Sequence, residues 1–210
     1  MEWDKCATKI REIAQNSTMG TWGAVVIGNE NDIIDGRIDW FIGSYRSEKC
    51  RLFINNEKNK MLIEVFRTGF LAKDVNEDQN RWSLLQEKNA TTITPAEVCP
   101  HSNLRNLVTS TWVKKQPQHL RHRRHIPEMQ LHESARTLST SFFDQTSHEW
   151  NVFIVKLDLN YTLSIGFEFP YYYYNAQPGY CIAKSQDGYM IIAIMSEYLN
   201  DSFNELLFLL

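Results

Sequence analysis

An α+β fold follows from three observations on this 210-residue chain. Short segments rich in aromatic and β-branched residues fall into two groups, within 22–66 and within 150–194. Segments with apolar residues at three- and four-residue spacing open the chain, fill its middle and close it. The turns within each strand-like group are short and built from Asn, Asp, Gly, Glu and Lys, which suits antiparallel pairing. The expectation is a single domain over residues 1–210, with a mainly antiparallel sheet of about six to eight strands and helices packed on one face. A basic helix-and-loop insertion at about 98–127 would separate the two sheet-forming halves.

Each element has its own warrant. Trp3, Cys6, Ala7, Ile10, Ile13 and Ala14 share one side of a helix, leaving Lys5, Lys9, Arg11 and Glu12 outward. Gly20 and Gly23 end that period, and 22–27, 37–42, 51–54 and 61–66 read as an antiparallel meander. Helical patterning returns at 75–88. Thr94-Pro95 then forms a cap with proline at the first helical position. Residues 103–113 continue helically until Pro117, and Pro127 opens a further helix to about 143. Strand composition resumes at 150–159 and 162–169, joined through Asn160-Tyr161. Ser185-Gln186-Asp187-Gly188 is a hairpin turn between 180–184 and 189–194. A Ser202…Glu205 capping box starts a terminal helix whose apolar side carries Phe203, Leu206, Leu207 and Leu210.

The totals exclude several classes. Apolar residues at 43% and charged residues at 22% describe an ordinary globular protein rather than a disordered one. The start, Met1-Glu2-Trp3-Asp4-Lys5, shows no basic-then-apolar leader pattern. The apolar runs near 190–195 and 206–210 are too short to cross a bilayer. Cys6, Cys50, Cys99 and Cys181 form no Cys-x-x-Cys pair and read as free thiols of a reducing compartment. A cytoplasmic protein without membrane attachment is expected. On that reading the Asn-x-Ser/Thr matches at Asn16, Asn89, Asn160 and Asn200 carry no weight.

Charge is the strongest functional signal. Between Glu97 and Glu128 there is no carboxylate, while Arg105, Lys114, Lys115, Arg121, Arg123 and Arg124 all fall there. The whole chain sums to -3, so removing these six positive charges leaves about -9 elsewhere. Residues 114–125 alone hold five fixed positive charges and three imidazoles. Such an island suits an anionic target. Nucleic-acid domains are usually basic overall, whereas this chain is acidic, which favours a protein partner with an acidic surface over nucleic acid. Tyr171–Tyr174, between Pro170 and the Pro178-Gly179 turn, supplies aromatic anchors of the kind interfaces favour.

The leading expectation is therefore a non-catalytic soluble binding protein, a regulator or inhibitor. Lys114, Lys115, Arg121, Arg123, Arg124, Tyr172 and Tyr174 would carry its contacts, with no cofactor. A homodimer through the C-terminal apolar helix is a further expectation.

The alternative is a metal-dependent, nuclease-like enzyme in which Asp39 and Glu64, on neighbouring strands, hold the ion while the island holds phosphate. Phe66 stands where the usual lysine of a Glu-x-Lys pair would be. His119 and His122, three residues apart, form an alternative metal pair, although the adjacent arginines repel a divalent cation. The two His-Glu pairs fail the zinc-protease pattern, because Arg136 and Val152 occupy the place of its second histidine. The chain has no Gly-x-Ser-x-Gly, P-loop or Gly-x-Gly-x-x-Gly motif.

Overall fold

A computed structural model describes residues 3–17, 21–43, 49–56, 59–69, 99, 102–115, 128–157, 163–169, 173–174, 177–185 and 188–196. In chain order the elements are α1 (Trp3–Ser17), β1 (Thr21–Ile27), α2 (Asn31–Ile34), β2 (Ile38–Phe41), β3 (Lys49–Asn56) and β4 (Asn59–Gly69). They continue as α3 (Ser102–Lys115), α4 (Glu128–Thr146), β5 (Glu149–Lys156), β6 (Ile165–Glu168), β7 (Tyr173–Tyr174), β8 (Gln177–Pro178), β9 (Tyr180–Lys184) and β10 (Tyr189–Ser196). The expected helices at 75–88, at 94–97 and at the C-terminus fall outside the described residues.

The strands form two four-stranded antiparallel sheets, ordered β3-β4-β1-β6 and β2-β5-β10-β9. The class is α+β with antiparallel sheets, as the patterning implies. Three finer expectations need correction. First, there are two main sheets, packed face to face around Val25, Ile27, Trp40, Leu62, Phe66, Phe153, Phe167, Ile192 and their neighbours. Second, helices cover both outer faces. Ala7 of α1 packs on Ala24 and Val26 of the first sheet, while α3 and α4 place Leu104, Val108, Leu131, Leu138 and Phe142 on Trp150, Val152, Ile154 and Ile191 of the second. The cause is in the strands: every residue of β10 is buried, and a strand buried on both faces needs a layer on each.

Third, β1 to β4 are no meander, because β2 leaves its neighbours and joins the second sheet. The connection after β1 forces this crossover. Asp32, fully buried in α2, accepts the Ser164 backbone N–H at 3.1 Å and faces Arg37 at 3.6 Å. Arg37 also pairs with Asp35 at 3.2 Å. The acidic run is thus a clamp that turns the chain from one sheet to the other. Likewise β6 comes from the C-terminal half yet pairs with β1, so the two halves interleave rather than form separate sheets.

Two details fix the layers. Gly166 and Gly28 let α1 lie close, because a Cβ at Gly166 would meet the Trp3 backbone and one at Gly28 its indole. Cys99, just before α3, is disulfide-bonded to Cys181 of β9 across 82 residues. This corrects the expectation of four free thiols. Cysteines far apart in sequence become neighbours when α3 packs against edge strand β9, a juxtaposition that spacing does not encode. Cys6 and Cys50 are free.

Candidate functional site

Two described helices flank the charge island. α3 begins beside the Cys99–Cys181 bridge and ends at Lys115, and α4 begins at Glu128, so residues 116–127 join the two helices. One turn into α4, His132 Nδ1 lies 3.4 Å from Asp39 Oδ1 on β2. Its ring also meets the edge of Phe41 at 6.1 Å. The first turns of α4 therefore lie beside edge strand β2, which directly follows the acidic clamp of 30–37.

Four carboxylates of β2 and the segment before it are engaged within the fold. Glu30 pairs with Lys60 at 2.9 Å, and Asp32 and Asp35 share Arg37. Asp39, whose side chain is 14% exposed, accepts the Trp40 backbone N–H at 2.7 Å besides facing His132.

Glu64 lies elsewhere in character. Its side chain is buried between the sheets, where Oε2 accepts the Trp40 indole N–H at 2.7 Å and the Arg51 Nε–H at 2.9 Å. Arg51 adds a second bond to Oε1 at 3.2 Å, and its guanidinium stacks 5.4 Å from the Trp40 ring centroid. Trp40 and Asp39 are successive residues of β2 and project to opposite faces. Glu64 meets Trp40 between the sheets, while Asp39 meets α4 on the outer face. The two carboxylates proposed to share an ion are thus divided by the β2 backbone and belong to different sheets. Each makes polar contacts within the fold.

The remaining candidates divide between described and undescribed residues. Lys114 and Lys115 close α3, with only their backbone placed. Arg121, Arg123, Arg124, His119, His122 and Tyr172 lie outside the described residues. Tyr174 sits in the small β7–β8 hairpin, paired with Gln177. Two residues after β8 the chain enters β9, whose second residue is Cys181. The hairpin is therefore moored near the N-terminal end of α3, about 20 Å of helix away from Lys115 at roughly 1.5 Å per residue.

Chemically, the Asp39–His132 pair is an imidazole facing a carboxylate, and three nearby hydroxyls of α4 are turned to backbone carbonyls instead. Thr137 donates to the Glu133 carbonyl at 2.8 Å, Ser139 to the Trp150 carbonyl at 2.7 Å and Thr140 to the Arg136 carbonyl at 3.1 Å. Among the described residues no group of three His, Cys, Asp or Glu is placed to hold a metal ion. No helix among them is long and apolar enough to cross a membrane.

Shifted ionisation occurs at other residues. Burial raises Glu168 above the usual carboxylate range, although Arg11 at 3.4 Å and the Thr8 hydroxyl at 3.2 Å oppose it. Burial also raises Asp4, against the Phe167 N–H that it accepts. His148 is pushed below its ordinary value by burial. Asp4 and Glu168 tie α1 to β6. Sequence reasoning missed both, since one is a helix residue and the other a strand residue with no motif between them.

No protein-family model, no curated protein and no solved structure matches the chain.

Proposed function

We propose that this chain is a non-catalytic binding protein that docks an acidic surface of a protein partner through the basic connection between α3 and α4. Lys114, Lys115, Arg121, Arg123 and Arg124 are its contact residues. The observation that carries the reading is the engagement of Glu30, Asp32, Asp35 and Asp39 with groups inside the fold. Those four carboxylates already have partners, so none of them depends on the island for its charge balance. Complementary charge would speed and select that encounter more than deepen it. Separation of Asp39 from Glu64 weighs against the nuclease-like alternative. The tyrosine hairpin, at the other end of α3, is left out of the patch.

The test is chemical cross-linking of the full chain in the cells that make it, beside an Arg121→Ala/Arg123→Ala/Arg124→Ala variant. A protein adduct that resists nuclease treatment, weakens with added salt and drops by on the order of tenfold in the variant supports the proposal. An adduct unchanged by the substitutions sinks it. Loss of the adduct on nuclease treatment moves the target to nucleic acid.

A further inference from the structure

We infer that Asn16 is an N-glycosylation site and that the chain matures in an oxidising compartment. Two observations meet here, independently of the binding proposal. The first is the Cys99–Cys181 bond, with both residues fully buried between α3 and the second sheet. Forming it removes two electrons and two protons from a pair of thiols, which a thiol oxidase or exchanging disulfide must accept. Because burial closes the site once α3 docks, the oxidant has to act while the chain folds. Glutathione-reduced cytosol keeps such thiols reduced, whereas secretory compartments supply the oxidant. The bond thus reverses the compartment that the cysteine spacing suggested.

The second observation is where the acceptor sequence falls. Asn16-Ser17-Thr18 has the Asn-x-Thr form, and Asn16 is exposed in the last turn of α1. One turn earlier, on the same side of the helix, Ile13 is 56% exposed. A sugar on Asn16 would cover this apolar side chain. α1 lies on the outer face of the first sheet, and α3 and α4 on the outer face of the second, so the sugar is on the opposite face of the sandwich from these two helices. Asn89, Asn160 and Asn200 lie outside the described residues.

The donor is a lipid-pyrophosphate-linked oligosaccharide, delivered by an oligosaccharyl transferase. Nδ2 of Asn16 forms a bond to the anomeric carbon as the bond from that carbon to the pyrophosphate oxygen breaks. The lipid pyrophosphate leaves with the electron pair, and the displaced Nδ2 proton passes to a base of the transferase.

The experiment uses the full chain from the cells that make it, lysed in N-ethylmaleimide and mapped by mass spectrometry before and after peptide N-glycosidase. Expected are unalkylated Cys99 and Cys181, and a glycosylated Asn16 that the glycosidase converts to Asp. Asn16→Gln should lose one discrete mobility step, which Thr18→Ser should keep and Thr18→Ala should lose. A bonded Cys99–Cys181 pair with bare Asn16 overturns the site. Alkylation of both cysteines overturns the compartment and the site together.

Discussion

Burying a carboxylate between two sheets costs several kcal/mol unless its oxygens are occupied, and Glu64 meets that condition from two sides. Trp40 and Arg51 supply three hydrogen bonds, and the half-exposed Arg51 also covers the indole face. Arg51→Ala should therefore cost more than Glu64→Gln, since it leaves the buried charge behind. About 1–3 kcal/mol is expected for the first, discounted because Arg51 is 53% exposed, and about 1 kcal/mol for the second. Urea midpoints of both variants check the order, and a reversed order would mean that Glu64 is solvated in the folded chain. His148 gives a second prediction. Burial holds it below its ordinary value of 6.5, so the fold favours the neutral ring. Its stabilising share is present above 6.5 and is lost as pH falls through the lower folded value. Asp4 and Glu168 act with the opposite sign. Their raised values mean that stability is fully present below 3.8 and 4.5 and is lost as pH rises through the folded values. Denaturation of the parent and His148→Asn at pH 7 and pH 5 should show a smaller acid-side loss in the variant. Equal losses would remove His148 from the account.

At the scale of elements, α1 shows how a helix is fixed to a sheet by more than its apolar stripe. Phe167 donates its backbone N–H to Asp4 at 3.2 Å, Thr8 donates to Glu168, and Arg11 faces the same carboxylate. Close approach at Gly166 makes this geometry reachable. Gly166→Ala sets a Cβ against the Trp3 backbone, which cannot rotate away as a side chain tip would. We expect a loss of about 1–3 kcal/mol, with hydrogen exchange raised along α1 and unchanged in α4. A uniform rise instead would mean that α1 does not open separately. Most element positions were legible beforehand: α3, α4 and eight of the strands lie where periodicity and turn chemistry put them. Their pairing was not. β2 departs to the second sheet because buried Asp32 and Arg37 steer the chain, and nothing in a local window distinguishes that clamp from a polar hairpin turn.

Across the described residues the layers run helix, sheet, sheet, helix, with a disulfide tying the start of α3 to β9. For a bond spanning 82 residues the chain-entropy estimate is about 4–5 kcal/mol. Cys181→Ser should lower the urea midpoint by an amount approaching that value, and reducing agent should lower the parent to match. No response to reductant would mean that the bond is absent in solution.

What the sequence by itself determined is local: element positions, the apolar character of β10, and a basic stretch free of carboxylates from residue 98 to 127. These depend on periodicity and composition within windows of ten to twenty residues. On α1 the expected sides are corrected at Arg11, which is buried against Glu168, and at Ile13, which is 56% exposed. Tertiary structure decided the rest, namely which sheet β2 joins, which cysteines meet, and that Asp39 and Glu64 face away from each other. Each of these depends on contacts between residues far apart in the chain. The alternation of a strand settles that neighbouring side chains oppose one another, but only the packing of two sheets and three long helices settles what each one faces.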